Sequence, residues 1–296
     1  MSAPTSPANW FGRLWQRWRR QPWWRTLAGR WHTPPDIPEG LWQHVLQAHP
    51  FLADLSTAEQ AALRQLCRHF IAHKEFHGAQ GLHITDAMAV TVAAQACLPL
   101  LHWGLPGLTW YRDFVGIVIH PGEVLAQRQV TDAAGVVHHY AEALLGEAMH
   151  GGPVMLSWSH VRGHPDAARA GHNLVIHEFA HKLDMRHKAH DETADGCPRL
   201  PAAWPGLTAG QARAHWRRTL YGAHANFQRA VEMADRFGAP APWLDAYGAQ
   251  SPAEFFAVAC EAYFVNRPRF GEAFPELLPL FDAFFRRPAV SGAAAP

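Results

Sequence analysis

Behind Ser56, apolar residues recur at Leu63, Leu66, Cys67, Phe70 and Ile71, the spacing that gathers side chains on one face of a helix. Ser56 and Glu59, in STAE, open that helix as a capping box, in which the hydroxyl and the carboxylate each satisfy a backbone amide of the other residue. A second helical run covers residues 86–98, after a short apolar stretch at 82–84. The pattern changes at VGIVIHP (115–121) and PVMLSWSHV (153–161), where β-branched and aromatic residues run between turn formers, and both predict strands. Between them, AEALLGEAMHGG (141–152) fits neither period. Helical spacing returns from Leu174 in LVIHEFAHKLD, in AHWRRTLYGAHANFQRAVEMADRF (214–237) and in SPAEFFAVACEAYF (251–264). A Gly/Pro-rich stretch (191–206) and a loop, GAPAPWLDAYGAQ (238–250), separate these runs. The order of elements predicts an α+β fold, mainly helical, with a small β-sheet.

TPPDIPEG (33–40) marks a boundary. The segment before it holds six arginines and six tryptophans (Trp10, Trp15, Trp18, Trp23, Trp24 and Trp31) and no acidic residue before Asp36. Residues 1–37 therefore form a basic N-terminal extension, suited either to a bland role as a tail or covering helix, or to touching a membrane surface, a nucleic acid or a partner protein. Residues 38–288 are expected to fold as one domain, and residues 289–296, ending in SGAAAP, to be disordered.

Over the whole chain of 296 residues, 26 Lys and Arg nearly balance 25 Asp and Glu, so net charge gives no reason to expect direct nucleic-acid binding. The most apolar stretch (88–105) is broken by Gln95, Pro99 and His102, which favours a buried helix ending near Pro99 over a membrane span. Four widely spaced cysteines match neither a metal knuckle nor a disulfide scaffold, and no secretory leader is evident; together these predict a cytoplasmic protein.

One segment carries chemistry. HEFAH at residues 177–181 has the HExxH pattern of zinc sites, although with 21 histidines in the chain its chance occurrence is about 0.06, too high for the pattern to stand alone. Its setting strengthens it. Asn173 can cap a helix in which Leu174, Val175, Phe179 and Leu183 supply apolar contacts, while His177 and His181, four apart, project from one face toward a single Zn²⁺. Glu178 lies where it can take a proton from a water activated by the metal.

A catalytic zinc ordinarily takes three protein ligands, so one is missing. His187 would complete the spacing HExxHxxDxxH, the ligand pattern of metzincins, but with Asp184 where that pattern needs a glycine for a sharp turn. The other source is the helix starting SPAE, where Glu254 is either a ligand or an ordinary capping residue of Ser251. Glu261, seven residues on, falls on nearly the same face, as a ligand or an acceptor behind a ligand histidine; Asp184 could act in the same supporting way. The residues by themselves leave His187 and the later helix equally eligible.

GHNLVIHEFAHKLDMR, DAYGAQSPAEFFAVACEAYF and the earlier GPVMLSW occur in the order found in the Mlc titration factor A family of bacterial zinc peptidases, and the chain resembles that family over roughly residues 38–288. The resemblance implies a gluzincin-like site with His177, His181 and Glu254 as ligands of one Zn²⁺, Glu178 as general base, and Tyr247 stabilising the oxyanion. It also implies a mainly helical, zincin-like metallopeptidase core similar to that of anthrax lethal factor, aminopeptidase activity on peptide substrates, and binding of the transcriptional repressor Mlc. The chain departs from the family pattern at His187 and in a longer connection around TAGQARAHWRRTLYGAH (208–224). The alternative class is a regulatory binding protein whose zinc is mainly structural. PVMLSW could present either an exposed edge to an extended peptide or an interior strand.

Overall fold

A computed structural model of the chain describes residues 34–122, 124–131, 137–144, 146–148, 151–163, 169–186, 188, 193–200 and 206–286. The Trp/Arg-rich segment up to residue 33, His187 and the terminal SGAAAP lie outside them. The elements used below are α1 (Glu39–Ala48), α2 (Thr57–His73), β1 (Glu75–Gly78), α3 (Asp86–Cys97), β2 (Gly116–His120), β3 (Val124–Thr131), β4 (Val137–Leu144), β5 (Gly146–Ala148) and β6 (Val154–Ser157). They continue with α4 (Leu174–Met185), α5 (Ala209–Phe237), α6 (Pro252–Val265), α7 (Arg267–Ala273) and α8 (Leu278–Phe285). The fold is mainly helical α+β, as the order of periodic segments predicts.

The described residues divide into two units. One is the antiparallel hairpin of β3 and β4, paired from Val124 with Leu144 to Thr131 with Val137. The sequence pattern predicts strands only at 115–121 and 153–161, so this pair is an addition to the expected elements. The other unit holds the remaining elements.

Within that second unit, a four-stranded sheet has the order β1-β2-β6-β5. β1, β2 and β6 are mutually parallel, and β5 runs antiparallel to β6, with Gly146 opposite Leu156. Parallel neighbours need a crossover, and the long apolar connection through α3 supplies the one from β1 to β2. β6 is buried at each of its residues and lies between β2 and β5. Of the two roles considered for PVMLSW, the exposed edge is therefore overturned: an interior strand has its backbone hydrogen bonds taken on both sides. Among the described residues, the edge on that side is β5, from the stretch whose pattern was ambiguous.

Ser56 and Glu59 close the expected capping box on α2, and a second one, Thr208 with Gln211, starts α5 earlier than its apolar pattern suggested. α3 is buried along nearly its full length. The helical stretch Asp86–Tyr111 is long and apolar enough to cross a membrane by composition, yet its most apolar part is 72% buried inside the protein. Beneath α4, Phe179 meets Phe70, Tyr111 and Phe114 at ring separations of 5.7, 4.9 and 5.9 Å. Beneath α6, Trp216 of α5 stacks on Phe281 of α8, while Phe256 and Tyr263 close the same cluster. These aromatic contacts hold α4 and α6, which pack directly on each other, in one fixed relation.

Candidate metal centre

Asn173 caps α4 as expected: its Oδ1 accepts from the Ile176 amide at 2.9 Å. Val175, Ile176, Phe179, Ala180 and Leu183 turn into the core, each at most 1% exposed. The opposite stripe carries His177 and His181, whose ring centroids lie 4.8 Å apart. Helical periodicity alone accounts for that pairing.

Glu254 arrives from α6. Ser251 Oγ accepts from the Glu254 amide at 3.2 Å, and Pro252 occupies the first turn, so the helix start is well made. The Glu254 side chain makes no reciprocal bond to the cap. Its Oε2 instead stands 3.2 Å from His177 Nε2 and 3.2 Å from His181 Nε2, and the two nitrogens are themselves 3.2 Å apart. Donor atoms of a tetrahedral zinc ion bound at 2.0–2.1 Å stand roughly 3.3 Å from each other. The triangle thus has the edge length of one face of such a tetrahedron, and two imidazoles with one carboxylate form a donor set suited to a single divalent ion.

The charges agree with a place for a cation. Burial acts to lower the His177 pKa, but its bonds to the Glu254 and Glu261 carboxylates prevail and raise it well above the usual imidazole range. Burial acts to raise the Glu254 pKa, and hydrogen bonds from His177 and His181 overcome it, holding the carboxyl at about 2. An ionised carboxylate, and two carboxylates that favour positive charge on the neighbouring imidazole, mark a spot where a cation is favoured, and a metal ion there would take the place of the imidazole's second proton.

Glu261, considered above as ligand or supporting acceptor, takes the supporting place. His177 Nδ1–H donates to Glu261 Oε1 at 2.7 Å, which leaves the Nε2 lone pair free for a metal, and the Asn173 amide donates to Glu261 Oε2. Asp184 does not support a ligand histidine, and that expectation is corrected. Fully buried at the end of α4, it accepts from the Gly196 amide at 2.7 Å and from Lys188 at 2.7 Å. Gly196 has a φ of +73°, and a Cβ there would meet the Pro252 carbonyl oxygen at 2.4 Å. Asp184 thus fastens α4 to a loop that lies against the start of α6, two residues from Glu254. α4 also runs helically through Asp184 to Met185, so the sharp turn that the metzincin spacing needs there is not made.

Two further features escaped the sequence reading. Lys182 is fully buried next to His181, donates to the Gly152 carbonyl at 2.8 Å and lies over the Phe114 ring. Burial lowers its pKa to about 8 against the opposing charges of Asp113 and Glu178. Gly146, on β5, makes the second. Glu178 is 4% exposed, and a Cβ on Gly146 would fall 2.3 Å from its Oε1. Only a residue without a side chain lets the edge strand pass so near that carboxylate. Gly146→Ala is expected to push the flexible end of Glu178 aside while leaving divalent-metal uptake within a few-fold of wild type, which elemental analysis and a structure of the variant check. Tyr247, on the helical turn Ala246–Ala249, is 40% exposed and sets its ring 6.0 Å from that of His177.

Comparison with known proteins identifies the family. The family model described as glucose-regulated metallo-peptidase M90 matches residues 15–286, taking in part of the Trp/Arg-rich segment. Curated relatives include Mlc titration factor A of Klebsiella pneumoniae subsp. pneumoniae, 34% identical over 246 residues, covering 83% of this chain and 85% of the relative. The protein of that name from Salmonella arizonae is 33% identical over 83% of this chain and 90% of its own length, and that from Enterobacter sp. is 32% identical over 87% and 90%. With a match over most of its length and a His-His-Glu group able to hold one ion, the chain belongs to the glucose-regulated metallo-peptidase M90 family.

Proposed function

We propose that the protein is a zinc-dependent aminopeptidase, with His177, His181 and Glu254 as ligands, Glu178 as general base and Tyr247 as a donor to the oxyanion. The observation that carries this reading is the 3.2 Å triangle of donor atoms, with Glu178 next in sequence to one of its corners. When bound there, zinc acidifies a water and polarises a carbonyl oxygen. Glu178, held in a nearly water-free place beside Gly146, takes the proton of the attacking water and delivers it to the departing amine. Tyr247, half in solvent beside the histidines, offers its hydroxyl to the oxygen that gains charge, a contact worth about 3 kcal/mol where comparable donors have been removed. β5, the sheet edge nearest Glu178, supplies backbone groups on which an extended peptide can align.

The family resemblance supports the preference for free N-termini. Zinc-loaded protein, assayed on a short peptide and on its N-acetylated form, is expected to cleave only the first, to lose that activity on chelation and to regain it with Zn²⁺. Equal cleavage of both peptides would make it an endopeptidase, and no cleavage of either would remove the enzyme reading.

A second reading rests on the relatives' name, Mlc titration factor A: this chain binds and sequesters a repressor of the Mlc type, with its metal partly structural. Such binding would survive Glu178→Gln, which separates it from hydrolysis.

A further inference from the structure

α3 is apolar almost throughout, yet in its last turn Gln95 is 2% exposed. A buried primary amide is costly unless each of its groups is paired. Here Nε2 donates to the Thr91 carbonyl at 3.0 Å and to the Val161 carbonyl at 3.4 Å, and Oε1 accepts from Asn173 Nδ2 at 2.8 Å. Two carbonyls can only accept, so the amide has one orientation, with its oxygen toward Asn173. The Asn173 amide is oriented in the same way: Oδ1 must face the Ile176 amide to cap α4, which directs Nδ2 to Gln95. The Asn173 backbone N–H then donates to Glu261, and Glu261 accepts the Nδ1 proton of His177. Gln95 thus fixes the Asn173 side chain, and the backbone N–H of the same residue shares the Glu261 carboxylate with the His177 ring, so an unbroken path of bonds runs from the last turn of α3 to the metal-binding imidazole.

We propose that Gln95 is a positioning residue which, through Asn173 and Glu261, holds the His177 ring in the orientation and tautomer that bind the metal. The inference rests on the metal reading of the site and goes beyond it, because Gln95 touches no ligand. A glutamine kept only to fill space in α3 would need none of this sequence of bonds. Apolar residues of similar size would serve there, as they do along the rest of the helix.

The test is the rate at which zinc leaves the full-length, zinc-loaded protein for excess chelator. Gln95→Met keeps the volume and removes the bond to Asn173; it is expected to speed zinc loss about three- to tenfold, below the roughly 10–100-fold typical of a direct partner of a ligand. In a Glu261→Ala background, where the connection to His177 is already cut, the same substitution is expected to change the rate less than twofold. A double-mutant cycle of this kind isolates the coupling. Asn173→Ser, which keeps an oxygen for the helix cap and loses the Nδ2 link, is expected to match Gln95→Met and serves if the latter folds poorly. Equal effects of Gln95→Met in both backgrounds, or a lowered Tm with an unchanged zinc off-rate, would overturn the proposal. Wild-type protein that takes up no zinc would instead remove the metal reading itself, and this inference with it.

Discussion

Glu178→Gln is expected to keep zinc at one ion per chain while kcat for peptide hydrolysis falls about 10²–10⁴-fold, the usual contribution of a positioned general base. The substitution is nearly isosteric, and Glu178 is not among the three residues whose donor atoms form the triangle, so the ion has no reason to leave. What changes is the capacity to accept a proton, which an amide lacks. The side chain is 4% exposed and lies against the backbone of Gly146, so bulk water has poor access to replace it. KM should move little, since the lost interaction is made with the water rather than with the bound peptide. Zinc content by elemental analysis and hydrolysis of an unblocked peptide, measured on the same preparation, check the result. Hydrolysis retained within a few-fold of wild type would dismiss Glu178 as the base and point to another residue near the triangle.

Glu254→Ala is expected to remove both metal and activity. Two imidazoles would remain, with no anionic donor to match the charge of the ion, and the loss should exceed the roughly 10–100-fold seen when only a supporting partner of a ligand is removed. The start of α6 does not depend on this side chain, because Ser251 accepts from the backbone amide at position 254 and Pro252 stays in place. Far-UV circular dichroism should therefore be unchanged, which separates loss of metal from loss of fold. His187→Ala is the matched control and should leave zinc content as it was. If His187→Ala emptied the site and Glu254→Ala did not, the metzincin-like spacing would hold the ion after all.

The three helix starts STAE, TAGQ and SPAE show where local sequence stops being informative. Each places a Ser or Thr three residues before a Glu or Gln, and in the first two the side chain of Glu59 or Gln211 reaches back to complete the cap. Glu254 occupies the equivalent position and turns to two histidines instead. Nothing within the four residues distinguishes the third case; the resemblance to a family did. Gly146 is a similar case, because one glycine in AEALLGEAMHGG carries no sign that a carboxylate more than thirty residues later will press against it.

The sequence by itself determined whatever is settled within a turn or two of backbone. The cap at Asn173, the core-facing stripe of α4 and the common face of His177 and His181 follow from a 3.6-residue period and side-chain chemistry, and they needed no other part of the chain. Only tertiary structure brings the Glu254 carboxylate to the two histidines from 77 residues away, makes β5 the sheet edge, and has Asp184 brace a loop while Glu261 bonds to His177. Those outcomes depend on how the apolar faces of α4, α5, α6 and α8 pack together, and a side chain's partner across such a contact is set by many distant residues at once.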